Sequence, residues 1–203
     1  MTIPDEILKQ RRRNKSRNSG SDIAGHFLVA GTGMKDPRFS QSLIYLLEHD
    51  STGGMGIIIN KVIDGITLID LLEQLDIEPS DEGAANMKIH FGGPVELGRG
   101  FVIHSKDILL DHSIEMEHFA LTTSTIMLKH IAEGNGPEEA LLALGYAGWE
   151  AGQLDEEIKR NDWLCLPACR DILFKTPACD RWKKVLKNSG ISADCLSSVG
   201  GEA

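Results

Sequence analysis

The chain has 203 residues, of which 41% are hydrophobic and 25% charged, and its formal net charge is −9. This length and balance predict one soluble globular domain with a single sizeable core. No apolar run approaches the roughly 20 residues that a membrane helix needs, so the composition excludes a bilayer-spanning helix and we expect no membrane partner.

The first 20 residues differ in charge from the rest of the chain. Six basic and two acidic side chains give them a charge of +4, which leaves −13 on the other residues. Low hydrophobicity with high local charge predicts a flexible basic arm over 1–22. Two alternatives are an arm that contacts nucleic-acid phosphates and one that folds back on the acidic domain. The arm lacks the apolar core of a secretory signal, so we expect a cytoplasmic protein.

The first part of the domain, which we predict over 23–190, reads as strands followed by a helix. Three short apolar segments are strand candidates: Gly25–Ala30, Ser42–His49 and Gly54–Lys61. A glycine-containing turn of hairpin length joins the last two. The segment Thr67–Asp76 opens with a Thr-x-x-Asp cap and places its leucines on one stripe, which predicts a helix that covers a sheet.

The second part follows an acidic loop over 79–83 and mixes strands with helices. Strand candidates with period two lie at Met87–Phe91, Phe101–Ser105 and Ser113–Leu121, and ALGYAGW reads as a further, buried strand. Helices are predicted over 124–133, in a short turn opened by Pro137, and over 180–188 with Trp182, Val185 and Leu186 on one face. Residues 191–203 are small and polar and predict a flexible tail. Because strands come in runs without βαβ alternation, the class is α+β.

The stretch GYAGWEAGQLDEEIKRNDWL contains the most distinctive order of residues. Leu154 and Ile158 lie one turn apart on a short amphipathic helix, and Glu156 and Arg160 are expected to pair on its exposed side. Trp163 is expected to pack the unit against the core.

The histidines and cysteines give weak indications of chemistry. His112 and His118 would lie about 20 Å apart on one strand, too far to share an ion, and His118 is expected to be part-buried and hydrogen-bonded. The four cysteines form no CxxC pair, so idle thiols are the expectation, with a redox role of Cys169 beside Arg170 as the alternative. We predict no metal and no cofactor.

Two glycine-rich or charged turns are candidate binding elements. Gly92-Gly93-Pro94 and Gly98-Arg99-Gly100 would form a loop that binds a phosphate or carboxylate, or else turn two strands while Arg99 pairs with an acid. In Asp36-Pro37-Arg38-Phe39, the aspartate is expected to cap a bend that Phe39 anchors.

The chain resembles the YqgE/AlgH family of bacterial proteins. The resemblance covers about residues 25–190 and is carried by GHFLVAGTGMKDPRFSQSLIYLLEHDSTGGMGIIINK, FGGPVELGRGFVIH, ALGYAGWEAGQLDEEIKRNDWL and ILFKTPACDRW. It implies a single α+β domain with a mostly antiparallel, branched β-sheet that curls into a pseudo-barrel between flanking helices. Most members are uncharacterised, and one branch is named for transcriptional regulation of alginate synthesis, so the resemblance implies no reaction.

Three classes of function stay open. A regulatory or interaction protein would present the β-hairpin turn, the Asp36 turn and the GGP loop, and the charge of −13 favours a protein partner over DNA. A small-anion binder would use the glycine loop together with Arg99 and His104. An enzyme would need acid and base side chains to converge on one pocket. The candidate ligand-binding residues are Asp36, Arg38, Glu48, His49, Gly92, Gly93, Arg99 and His104, while catalytic residues stay unassigned.

Overall fold

The computed structural model describes residues 23–78 and 87–191. Within these ranges, the strands are β1 His26–Ala30, β2 Leu43–Asp50, β3 Gly53–Ile58, β4 Val62–Thr67, β5 Lys88–Phe91, β6 Val95–His104, β7 Ile114–Glu115, β8 Ala120–Thr122, β9 Ala140–Glu150 and β10 Trp163–Pro167. The α-helices are α1 Leu68–Gln74, α2 Thr125–Ala132, α3 Gln153–Lys159 and α4 Ala178–Asn188, and a π-helical turn spans Asp171–Lys175. The predicted arm 1–22, the acidic loop 79–83 and the tail beyond 191 lie outside the described residues.

One branched, curled sheet organises these elements. Its main path runs β10-β1-β2-β3-β9-β6-β8-β7, with antiparallel neighbours throughout. A side branch leaves β9, because β5 pairs with β9 in parallel and β4 pairs with β5. The mostly antiparallel, curled sheet with flanking helices confirms the predicted α+β class.

Glycines permit the branch. Gly92 donates its amide to Leu144 of β9 at 2.7 Å and accepts from the amide of Ile58 of β3 at 2.8 Å, so it joins the two strands where they diverge. A Cβ on Gly92 or Gly93 would overlap the backbone of Gly145 or Tyr146. Glycine is therefore required here for close backbone approach rather than for an open loop.

Three groups of buried side chains hold the layers together. One lies between the sheet and α4 with the π-helical turn, the second lies under α1 and α2, and the third packs Leu154 of α3 against Trp149 and Trp163. Ile191, which we assigned to the tail, packs on the first group and donates its amide to Leu186 at 3.0 Å. The predicted burial of Trp163 is confirmed, since 2% of its surface is exposed.

Local predictions that depend on helix capping and helical periodicity are confirmed. The Thr67 hydroxyl and the Asp70 side chain form the reciprocal capping box of α1, and α4 buries the predicted Trp182, Val185 and Leu186.

Within the described residues, no helix is long and apolar enough to cross a bilayer.

Three local predictions are wrong, and one strand was missed. Residues after Pro137 form no helix, and the Glu138 amide instead donates to Asp107 at 2.9 Å. The segment 113–121 is broken into β7 and β8, which pair with each other, so His118 lies in the bend between them and its side chain is 47% exposed rather than part-buried. Glu156 pairs with Lys159 at 2.7 Å, while Arg160 pairs with Asp162. Strand β4 was not predicted.

Candidate functional site

The Asp36 turn is closed by its own charges. The Arg38 guanidinium lies 2.7 Å from the Asp36 carboxylate, which also accepts the Arg38 amide at 2.9 Å and therefore has a lowered pKa. The Phe39 ring packs edge-on against Trp163 with centroids 5.8 Å apart. The predicted capped bend with its aromatic anchor is confirmed, and the Arg38 fork is occupied by Asp36.

Glu48 and His49 lie at the end of β2, where the pairing with β3 shifts register. His49 is turned towards α3, and its Nε2 atom lies 3.4 Å from the Asp155 carboxylate. The histidine side chain is 11% exposed. His49 therefore connects the β2–β3 hairpin to α3.

The glycine segments do not form the expected anion loop. Gly92 and Gly93 are buried at the branch, and Gly98-Arg99-Gly100 lies within β6, where the pairing with β9 shifts register between Val95 and Gly100. The Arg99 guanidinium lies 3.1 Å from Glu96 and stacks over Phe101 at 5.3 Å. The alternative that Arg99 pairs with an acid is thus confirmed, while glycines that turn two strands at 98–100 are not found.

His104 ends β6 and is fully buried. Its Nδ1 atom donates to the Ser105 carbonyl at 2.8 Å, and its Nε2 atom has no hydrogen-bond partner within the described part of the chain. Burial lowers the pKa of His104, so it is uncharged at neutral pH. Five residues of extended strand separate it from Arg99 by about 16 Å, and the two side chains therefore do not share one ligand.

The eight predicted ligand residues consequently occupy four separate positions. These are the Asp36–Arg38 turn, the end of β2 against α3, the branch point with Arg99 on the adjoining strand, and the inner end of β6. Arg38 pairs with Asp36 within its own turn, whereas His49 faces Asp155 of α3, so these two side chains are engaged at different places.

The described cysteines are free thiols. Cys165 is half-buried, which raises its pKa, while Cys169 and Cys179 are exposed. The neighbour of Cys169, Arg170, bonds to Glu139 at 2.6 Å. Over residues 23–78 and 87–191, no group of three or more His, Cys, Asp or Glu side chains could hold a metal ion.

Strand β4 lies at an open edge of the sheet. It pairs with β5 at Val62 and at Thr67, with a break in register between them, and its other edge has no strand beside it among the described elements. A half-open cavity of about 240 Å³ runs along it and is lined by Val62, Ile63, Asp64, Gly65, Ile66, Thr67, Met87 and Lys88. The residues from Asp64 to Thr67 are exposed.

A buried cation, which we call the Arg181 junction, lies where α4 meets the sheet branch. Arg181 is 6% exposed, and its guanidinium donates to the carbonyls of Thr176, at 2.9 Å, and Ile59. It also donates to Nε2 of His90 at 3.3 Å, while the His90 Nδ1 atom donates to the Leu142 carbonyl at 3.2 Å. Burial and the neighbouring Arg181 charge lower the pKa of His90 to about 4, so the imidazole is a neutral acceptor.

The sequence contained a signal for Arg181 that our interpretation missed. Arg181 precedes Val185 by four residues, so it shares the apolar stripe of α4, where an arginine is costly unless it has a specific partner. No local pattern marks Ile59 or His90 as its acceptors, because they lie 122 and 91 residues away.

Comparisons with known proteins agree with this architecture. The model of the AlgH-like family matches residues 27–194. A UPF0301 protein of Rhodospirillum rubrum is 43% identical over 182 residues, which cover 89% of this chain and 94% of that protein. A UPF0301 protein of Vibrio parahaemolyticus is 40% identical and is matched over its full length by 90% of this chain.

Two solved structures share the fold. The solution structure of the AlgH protein from Pseudomonas aeruginosa has 39% identity and a TM-score of 0.74, with 93% of this chain and 100% of that chain covered. Protein DIP2367 of Corynebacterium diphtheriae has 19% identity and a TM-score of 0.66, covers 93% of this chain and 97% of its own, and shows the fold alone. The family match over most of the domain, the full-length relatives and the shared branched sheet together establish that the chain belongs to the AlgH-like family.

Proposed function

We propose that this chain is a non-enzymatic regulatory protein of the cytoplasm that acts by binding another protein at the open edge of β4. The observation that carries the proposal is the half-open cavity beside an edge strand whose residues Asp64–Thr67 are exposed. An exposed sheet edge can accept an extended peptide as an additional strand, with its side chains in neighbouring pockets.

Exposed apolar side chains support a partner on this side of the sheet. Ile66 is 39% exposed in β4 and Leu75 is 41% exposed at the end of α1, the helix that follows directly. Single exposed apolar residues are ordinary, but Ile66 also lines the cavity. The cavity offers apolar contact, and the strand edge offers hydrogen bonds.

Charge favours one kind of occupant, an extended segment with basic and apolar side chains. Residues 62–78 carry five carboxylates and no lysine or arginine, and Lys88 is the basic side chain that lines the cavity. Asp70 is occupied in the cap of α1, whereas Asp64, Glu73 and Asp76 are exposed. Together with a charge of −13 outside residues 1–20, these carboxylates attract a basic protein segment and repel DNA phosphates.

The exposed thiols favour a reducing compartment. Cys169 and Cys179 are both free and exposed. Such thiols stay reduced in a cytoplasm and become oxidised or paired in an oxidising compartment. This supports the cytoplasmic location in the proposal.

Site-specific photocrosslinking tests the proposal. A benzophenone amino acid is placed at Ile66 of the full chain in its host cells, and at Ile126 as the control, because Ile126 is also exposed, at 56%, but lies on α2. We expect a protein adduct at position 66 that is absent at position 126, with a basic, extended cross-linked segment. A synthetic peptide of that segment should bind the wild-type chain about tenfold more tightly than the Asp64→Lys variant, because that substitution reverses a charge beside the cavity.

Three results would contradict the proposal. They are equal adducts at both positions, a cross-link to residues 1–22 of the chain itself, and a cross-link to nucleic acid. Fluorescence anisotropy of mixed DNA fragments against the full chain, at low and moderate salt, provides the direct comparison with DNA. Binding that survives moderate salt would favour a DNA-contacting regulator instead.

A further inference from the structure

We infer that the partner segment at β4 is a protein C-terminus. Its terminal carboxylate binds Lys88, and its last side chain, an apolar one, enters the cavity beside β4. This inference rests on the proposed function, because it specifies which part of a partner protein binds at the same edge strand. It adds a ligand group, the chain-terminal carboxylate, and the residue that recognises it.

The cavity is suited to one large apolar side chain. Its volume is about 240 Å³, and a cavity of roughly 150 Å³ is enough for a benzene ring. Four apolar side chains line it: Val62, Ile63, Ile66 and Met87. Ile63 and Met87 also pack on the buried group under α1 and α2. A partner side chain that enters the cavity therefore extends an existing core of the domain.

Lys88 provides an unpaired cation at this cavity. It lines the cavity, is exposed, and lies opposite Thr67 in the pairing of β5 with β4. Its ammonium group forms no ion pair or hydrogen bond within the described residues. The Asp70 carboxylate is already bound by the amide and the hydroxyl of Thr67, at 2.6 and 2.7 Å. An anionic group of a partner can therefore bind Lys88 without displacing an existing contact.

The surrounding charge favours a chain terminus over an acidic side chain as this anion. Residues 62–78 carry five carboxylates and no lysine or arginine, so they repel a segment rich in aspartate or glutamate. A C-terminal residue carries its carboxylate together with an apolar side chain and needs no acidic neighbour. Its chain also ends in the half-open cavity, whereas an internal segment would have to leave the cavity again.

The residues before the terminus match the rest of this surface. In extended conformation they can pair with the open edge of β4. A basic side chain among them can bind Asp64, which lines the cavity, is exposed, and forms no ion pair within the described part of the chain. A free amino acid also carries a carboxylate, but it would leave the edge of β4 unpaired. The ligand is therefore a C-terminal segment with an apolar last residue and a basic residue upstream.

Mapping the adduct formed at Ile66 tests where the partner segment lies. With the benzophenone amino acid at Ile66 of the full chain, we expect mass spectrometry to find the cross-link in the C-terminal peptide of the partner. An adduct on an internal segment of the partner would overturn the inference and leave the proposed function standing. Absence of any protein adduct would contradict both.

Peptide binding tests the role of Lys88. The probes are random peptides displayed with free C-termini and selected on the full chain, then synthesised both as the free acid and as the C-terminal amide. Measured by fluorescence anisotropy, the acid should bind the wild type about tenfold more tightly than the amide, and Lys88→Gln should bind both forms equally. Lys129→Gln is the control and should keep the tenfold difference, because it removes the same charge from an exposed pair with Glu133 on α2.

The Asp64→Lys variant separates this inference from the proposed function, since it should weaken the acid and the amide by a similar factor. Peptides that are weakened by Asp64→Lys but bind equally well as acid and amide would overturn the terminal carboxylate alone. A difference between acid and amide that persists in Lys88→Gln would also overturn the inference, because another group would then bind the carboxylate. Peptides whose affinity depends on neither Asp64 nor Lys88 would contradict both proposals.

Discussion

At the scale of single residues, the buried side chains of His90 and Arg181 satisfy each other. His90 accepts from Arg181 on one ring nitrogen and donates to Leu142 on the other, so the neutral form with the proton on Nδ1 satisfies both partners. A protonated His90 ring would place a second positive charge against Arg181. Its Nε2 atom would carry a proton and could no longer accept the Arg181 hydrogen bond. The protonation of His90 should therefore destabilise the fold as the pH falls.

We predict the pH range of that effect from the His90 pKa, which is about 4 in the folded chain against 6.5 for an unperturbed histidine. The unfolded chain binds more protons between these values, so the contribution is fully present above pH 6.5 and is lost as the pH falls towards 4. The loss amounts to about 3 kcal/mol. Urea unfolding of the wild type and His90→Gln at about pH 7, 5.5 and 4.5 measures it, with His118→Gln as the exposed control. Parallel pH profiles for wild type and His90→Gln would contradict the prediction.

At the scale of elements, one carboxylate attaches α3 to two strands. Glu157 Oε2 accepts from the indole nitrogens of Trp149 in β9 and Trp163 in β10, each at 2.8 Å, while Oε1 accepts from Gln153 at 2.8 Å. The two tryptophans also contact each other edge-on, with ring centroids 5.9 Å apart. The distinctive GYAGWEAGQLDEEIKRNDWL stretch thus encodes a helix held to the sheet by both of its tryptophans.

We predict that Glu157→Ala lowers the free energy of unfolding by about 2 to 4 kcal/mol, since it leaves two largely buried indole N–H groups without an acceptor. Glu157→Gln should cost less, because the amide oxygen can still accept. Urea unfolding followed by tryptophan fluorescence measures both. Glu156→Ala is the matched control, because Glu156 pairs only with the exposed Lys159 in the described contacts. A loss in Glu157→Ala no larger than in the control would show that the carboxylate is dispensable.

At the scale of the whole molecule, charge is divided between residues 1–20, at +4, and the remaining −13. The first described residue, Ile23, packs on the group around Trp163. We predict that deleting residues 1–22 changes the Tm by no more than about 1 °C, because no described buried contact is removed. Calorimetry at low and high salt tests this. A large, salt-dependent drop would mean that the basic segment docks on the acidic domain.

Features that arise from contacts within a few residues could be predicted from the sequence alone. The β2–β3 hairpin follows from alternation and a glycine turn, and the cap of α1 follows from Thr67 and Asp70, because these hydrogen bonds join near neighbours. The same local reasoning identified the bend at Asp36 and the buried face of α4. It failed at Pro137, where the Glu138 amide binds the distant Asp107, and in segment 113–121, which bends back on itself to pair β7 with β8.

The branch of the sheet and the candidate sites could not be predicted, because they depend on contacts between distant elements. Nothing local shows that Gly92 bridges β3 and β9, that β5 runs parallel to β9, or that β4 is left at an edge. Arg181 likewise meets Ile59 and His90 only once the sheet has curled. The hydrophobic periodicity of an element indicates which of its faces is buried, but not which distant element covers that face. The proposed binding site at β4 depends on such a distant pairing.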